Sequence, residues 1–219
     1  MLKIAYSCFD TILNFFAPPT CASCSVFLSQ KDIFCSNCFK KVIPIVSSSL
    51  KITSSFEIKV YAAAQYCGPV RRLILKKHIQ SYVASRKLGQ FIFDSVEAQV
   101  FDCDAIVPIP LHWTRKARRG FNQAQVIAQF LSKKYKKPIF DVLSRTRRTK
   151  YQAKLNKGDR RKNVSNVFSF KKGVDKCNYK RLLLVDDLMT TGATLKEAAY
   201  ALRSLKPMAI QAVVAARGA

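Results

Sequence analysis

The sequence predicts an α/β fold with a parallel sheet, preceded by a small cysteine-bearing module. Three observations carry this. Leu182–Val185 is a short continuous apolar run, as in a strand buried on both faces. It leads through Asp186-Asp187 and a Thr/Gly turn into a helical pattern with Leu195, Ala198, Ala199, Leu202 and Leu205 on one face. Ala105–Pro108 is a second such run, again followed by a loop and a helical stretch, and two Cys-x-x-Cys pairs stand near the start of the chain. At 219 residues the chain accommodates one α/β domain and a small appendage, and a hydrophobic content of 49% argues against wholesale disorder.

The charge is one-sided: 38 Lys+Arg against 13 Asp+Glu, a net +25. An excess of that size attracts polyanions, nucleic acid first and anionic membrane second. No apolar run is long enough to cross a bilayer, and the start of the chain lacks the layout of a signal peptide, so the expected location is the cytoplasm. Met1–Ala17 places Ala5, Phe9, Ile12, Leu13 and Phe16 on one helical face. Docking on its own core or on a partner is the main expectation for this stripe. Attachment to the inner face of the membrane is the lesser one, because the helix lacks a basic polar face.

Pro18-Pro19 ends that helix. Cys21, Cys24, Cys35 and Cys38 follow as two knuckles with a ten-residue spacer, a pattern that can wrap four thiolates around Zn²⁺. The metal would supply folding energy that so small a segment cannot obtain from burial. Disulfides are disfavoured in a cytoplasmic chain, and a redox pair would need one motif rather than two in tandem. Cys8, Cys67, Cys103 and Cys177 are expected as buried free thiols. The predicted organisation is residues 1–45 as helix and cysteine module, a Ser-rich linker over 46–57, and the main domain over 58–219.

Within the main domain, Ile58, Val60 and Ala62–Tyr66 read as a strand, Val70–Lys77 as a basic helix and Leu88–Val100 as an apolar-faced helix. His78 reads as a surface or packing residue. After Ala105–Pro108, the loop carries Arg115, Lys116, Arg118 and Arg119, with Trp113 and Phe121 interleaved. A basic loop past the carboxyl end of a strand is where open α/β sheets bind anions, and aromatics among cations can stack bases. Asn122 is placed to cap the next helix, with Gln123 beside it among the anion contacts. Arg145–Lys172 is the densest basic stretch; it includes Arg160 and Arg161, embeds Tyr151 and Gln152, and has Asp159 as its one acid. Strand character returns over Val164–Phe170 and Ile210–Ala216.

The chemistry concentrates after Val185. Gly192 permits a tight backbone, and free N–H groups at a helix start attract a phosphate. Asp186 and Asp187 would repel that phosphate but suit the hydroxyls of an attached sugar or a divalent cation. An ordinary strand–turn–helix is the plain alternative, but it has no need of Asp-Asp directly before Thr-Thr-Gly. This combination resembles the phosphoribosyl-pyrophosphate (PRPP) motif of type I phosphoribosyltransferases. The resemblance implies that Asp186 and Asp187 contact the ribose and act in catalysis. It also implies that Met189, Thr190, Thr191, Gly192, Ala193 and Thr194 form the loop around the 5′-phosphate, with Mg²⁺ accompanying PRPP.

The wider order of motifs is similar to that of the ComF (ComFC) family of bacterial natural-transformation proteins. It runs through the cysteine knuckles, Tyr66-Cys-Gly-Pro-Val-Arg-Arg-Leu-Ile, Val107-Pro-Ile-Pro-Leu-His-Trp-Thr-Arg, Arg119-Gly-Phe-Asn-Gln-Ala124 and Arg160-Arg-Lys-Asn-Val164 to the Asp-Asp motif. The family's Lys-aromatic-x-Gly element is replaced here by Lys77-His-Ile-Gln80. The resemblance implies a zinc ribbon joined to a type I phosphoribosyltransferase-like domain that handles incoming single-stranded DNA, or DNA used as a nutrient. The expected partners are single-stranded DNA, PRPP or another 5′-phosphorylated ribose, and a DNA-translocating helicase. An active phosphoribosyltransferase on an unidentified acceptor, with Arg115–Arg119 neutralising the departing pyrophosphate, is the competing expectation. A PRPP sensor without turnover is a third.

Overall fold

The computed structural model describes residues 19–30, 32–45, 47–76, 80–111, 120–145, 167–173 and 178–218. The amphipathic stretch at Met1–Ala17, His78, the cations from Arg115 to Arg119, and Tyr151, Arg160 and Arg161 lie outside them.

Seven strands and five helices are described: α1 (Ser36–Phe39), β1 (Ser48–Lys51), β2 (Glu57–Gln65), α2 (Gly68–Leu75), α3 (Gln80–Ser95), β3 (Ala105–Pro108), α4 (Gln123–Tyr135), β4 (Leu143–Arg145), β5 (Phe168–Phe170), β6 (Arg181–Met189), α5 (Ala193–Leu202) and β7 (Ala209–Arg217). The main sheet has the order β1-β2-β7-β6-β3. β2, β7, β6 and β3 are parallel, and β1 is an antiparallel edge strand on β2. β4 and β5 form a separate antiparallel pair.

The apolar run at 182–185 is buried because the sheet is covered on both sides. Leu183 and Val185 join a core with Leu73 of α2, Leu88 and Ile92 of α3, and Ile127 and Leu131 of α4. Leu182 and Leu184 face the other way, onto Leu195, Ala198 and Leu202 of α5 and onto Leu143 and Phe168 of the small sheet. Residues 182–185 are at most 2% exposed, so each contributes roughly 1.5–3 kcal/mol of burial. α3 and α4 approach closely at Gly89, where an added Cβ would lie 2.9 Å from Phe130 Cβ. Asp104 ties the start of β6 to β3, its Oδ2 accepting the backbone N–H groups of Lys180 and Arg181, each at 2.8 Å.

Several boundaries differ from the sequence expectation. The strand after Arg181 runs on through Asp186, Asp187 and Met189, because β7 continues beside it to Arg217. The helix that follows begins at Ala193. The segment expected as a linker contains β1, where Leu50 pairs with Ile58. The helix expected over 88–100 is α3 plus a separate 3-10 turn at Ala98–Phe101. Cys103 is buried as expected and burial pushes its thiol up to about 11, whereas Cys67 is only half-buried. The cysteine module packs against the main domain: Phe34 meets Phe91 edge-on at 5.9 Å, and Lys87 Nζ donates to the Thr20 carbonyl at 2.9 Å.

Candidate functional site

Parallel order brings the carboxyl ends of four strands to one edge, at Gln65, Pro108, Met189 and Arg217. That edge is where ligands bind in open α/β sheets. The acidic pair lies there, with both carboxylates partly buried. Strand alternation carries Asp186 toward the α5 and hairpin side and Asp187 toward the side of α2–α4. Burial, and then the charge of Asp187, hold the Asp186 carboxyl well above the usual carboxylate range. The Asp187 N–H, donating to Asp186 Oδ1 at 2.9 Å, and the charge of Arg145 act in the opposite direction. A pair of this kind gains when a cation or a set of hydroxyl donors shares its charge.

The turn after β6 leaves Thr190, Thr191 and Ala193 exposed and gathers backbone donors at the start of α5. The Ala193 N–H reaches Thr191 Oγ1 at 3.4 Å, and the first intrahelical bond is Lys196 N–H to the Gly192 carbonyl at 2.9 Å. Gly192, at the cap position, makes no side-chain cap, so apart from the Ala193 N–H the donors of the first turn are left to an anion. Gly192 is favoured chiefly by its backbone, whose φ is +73°, and an added Cβ would also crowd the movable end of the Leu50 side chain of β1, lying 2.8 Å from its Cδ1. Gly192→Ala is therefore expected to lower stability by about 1–3 kcal/mol and displace the turn; the midpoint shift in urea measures the first.

Two of the expected loop and anion residues sit differently. Met189 has its side chain in the core at 6% exposure, and its carbonyl accepts the Gly218 N–H at 2.7 Å. Gln123 is buried at 7% in the first turn of α4. Asn122 occupies the cap position of α4 without capping it; its Nδ2 donates instead to the Ile109 carbonyl at 2.8 Å, fastening the helix to the end of β3. Thr194 is half-buried on α5.

A cleft of about 660 Å³ opens between α4 and the small sheet. Leu111 and Gly120, which flank the basic loop, lie on its wall, and so does Arg145, where the densest basic stretch begins. Arg145 lies over the Phe168 ring at 5.6 Å, and its charge also acts on Asp186. Neither aspartate is among the described residues lining the cleft, so Arg145 is the side chain common to both places.

Arg217 was not singled out by its sequence context. It ends β7, pairs with Met189 and Gln65, and is half-buried. Its guanidinium has no hydrogen bond or ion pair among the described residues, which leaves a cation beside the acidic-threonine turn. Nothing in Ala215-Ala216-Arg217 itself points to this; it follows from β7 lying between β2 and β6.

The four cysteines converge, with all sulfurs within 4.8 Å of one another and Cys24 Sγ to Cys35 Sγ at 3.7 Å. The edge of a sulfur tetrahedron around Zn²⁺ is about 3.8 Å. Burial opposes ionisation of Cys21, but the backbone N–H groups of Cys24, Cys35 and Ser23 outweigh it and bring that thiol down to about 6. Burial pushes Cys38 up to about 11. Four sulfurs at this spacing, one of them already inclined to ionise, could hold a metal ion, with no position left open for substrate.

Comparison with known proteins agrees with this geometry. Residues 104–219 match the phosphoribosyl transferase domain family. The chain is 32% identical over 200 residues to competence protein F of Haemophilus influenzae, covering 88% of this chain and 82% of that protein. It is 28% identical over 198 residues to the DNA utilization protein YhgH of Escherichia coli K12, covering 87% and 81%. Over 97 residues it is 35% identical to competence protein ComFC of Bacillus subtilis, covering 44% and 37%.

Proposed function

The chain belongs to the ComF family of competence proteins and is built on a phosphoribosyl transferase domain; from that premise we propose that it handles single-stranded DNA during DNA uptake and binds PRPP, or another 5′-phosphorylated ribose, at the Asp186–Thr194 turn. The relatives' names, competence protein F and DNA utilization protein, support the role in DNA uptake. The observation that carries the reading is that Leu111, Gly120 and Arg145, the described residues adjoining the two basic stretches in sequence, line one cleft, and that Arg145 also acts on Asp186. Lys and Arg in residues 112–119 and 146–166 hold phosphates of the strand, and nearby aromatic side chains offer stacking faces. DNA affinity is then expected to fall steeply with salt, by a factor of about 300 or more between 50 and 200 mM if six or more phosphates are neutralised. Fluorescence anisotropy with a labelled oligonucleotide measures it, and an affinity indifferent to salt would sink the proposal.

At the other site, the exposed Thr190, Thr191 and Ala193 with the first turn of α5 hold the 5′-phosphate, and Asp186 and Asp187 take the ribose hydroxyls. When bound, Mg²⁺ would screen the charge between the acidic pair and the diphosphate. Zn²⁺ at Cys21, Cys24, Cys35 and Cys38 holds the N-terminal module together. The working location is the cytoplasm, and a DNA-translocating helicase is a candidate partner there. Among the described residues no helix is long and apolar enough to cross a membrane.

The half-exposed acidic pair at the carboxyl edge also favours a second reading, an active phosphoribosyltransferase. There Asp186 and Asp187 would orient the ribose and stabilise positive charge developing on the sugar. Pyrophosphate release from PRPP in the presence of a nucleobase distinguishes this reading from binding alone.

A further inference from the structure

We infer that the cleft between α4 and the β4–β5 pair is a nucleobase pocket. The inference rests on the DNA reading above and gives it a place for a base as well as for phosphates. Gln125 and Gln129, four residues apart, share one face of α4, Asn122 stands at its cap position, and all three line the cleft. Each carboxamide presents a donor and an acceptor side by side, which is the pattern on the edge of a base. Asn122 uses its Nδ2 on the Ile109 carbonyl. The carboxamides of half-buried Gln125 and exposed Gln129 have no hydrogen-bond partner among the described residues.

The rest of the cleft suits a flat ring. Tyr82 and Phe121 meet edge to face at its mouth, with centroids 5.9 Å apart and planes at 79°. Tyr82 is 45% exposed, so a ring face is available for stacking. The volume of about 660 Å³ lies within the range of small-molecule pockets and takes a base with its sugar. The base comes either from a strand held by the flanking cations or from solution.

Two arms separate these sources, both with the full chain. A labelled thymidine oligonucleotide and an abasic oligonucleotide of equal length are titrated at one salt concentration, and adenine is followed by equilibrium dialysis. The wild type is expected to prefer the base-bearing strand by about tenfold. Gln125→Leu with Gln129→Leu, a change of similar volume, should remove most of that preference yet bind the abasic strand as the wild type does. The retained binding also shows that the variant is folded. If instead both strands bind alike and the variant loses adenine, the pocket stands and its base is a free one. Equal binding of the two strands together with no adenine binding, or a preference unaffected by the two substitutions, overturns the pocket and leaves the DNA reading intact. Failure of the wild type to bind either strand counts against the DNA reading instead, and adenine binding lost in the variant would still uphold the pocket.

Discussion

Asp186→Asn combined with Asp187→Asn is expected to weaken PRPP binding by about 100-fold or more, while DNA affinity changes little. The loss follows from removing two charged acceptors of the ribose hydroxyls, each contributing about 1.5–3 kcal/mol. DNA should be unaffected because the proposed strand contacts come from the basic stretches and the cleft, which the aspartates do not line. Isothermal titration with PRPP and anisotropy with DNA read the two affinities; parallel loss of both would mean that one site serves both ligands. The single change Asp186→Asn carries a second signature. Burial and the neighbouring Asp187 raise the Asp186 carboxyl in the folded chain, so the native state binds more protons than the unfolded state above the usual carboxylate range. Stability of the wild type therefore falls as pH rises from near 4 through the raised value. The asparagine variant should lack that fall and melt higher at neutral pH. Melting temperature followed against pH checks the sign, and a lower neutral-pH melting point for the variant would contradict it.

Replacing Cys21 and Cys38 by Ser is expected to abolish binding of one Zn²⁺ per chain and to lower the melting temperature by on the order of 10 °C. A ligand present at about 1,000 times its dissociation constant stabilises by about 4 kcal/mol, and a chain of this size shifts by roughly 2–4 °C per kcal/mol. The effect should reach the main domain. Cys21, Ala22, Phe34 and Cys38 belong to the same core as α2 and α3, and Phe34 packs on Phe91. Metal content by mass spectrometry and a thermal melt give the two readouts, and a chelator should reproduce the melt. Metal loss with an unchanged melting point would show that the module is energetically separate from the domain.

Much of this was legible in the sequence where the determinants are local. A continuous apolar run predicts a strand buried on both faces, and 182–185 is one. Cysteines three apart on paired knuckles predict convergence, and their sulfurs converge. A glycine before a helical stripe predicts a tight backbone turn, and Gly192 stands in one with φ +73°. Determinants that lie far apart in the chain were less visible. β1 has four residues, Ser48 to Lys51, of which only Leu50 is a strongly apolar signal; its strand state comes from pairing with β2. β6 runs past its apolar run because β7 continues alongside it.

By itself the sequence determined the fold class, the cysteine cluster and the residues of the acidic-threonine turn, because each is announced by short local patterns along the chain. Only the tertiary structure decided which groups share a site. Strand order put Arg217 beside the turn, the small sheet carried Arg145 toward Asp186, and α4 brought its carboxamides into the cleft. Those neighbours are separated by tens of residues, and it is the pairing and packing of whole elements, rather than local preference, that sets the distance between them.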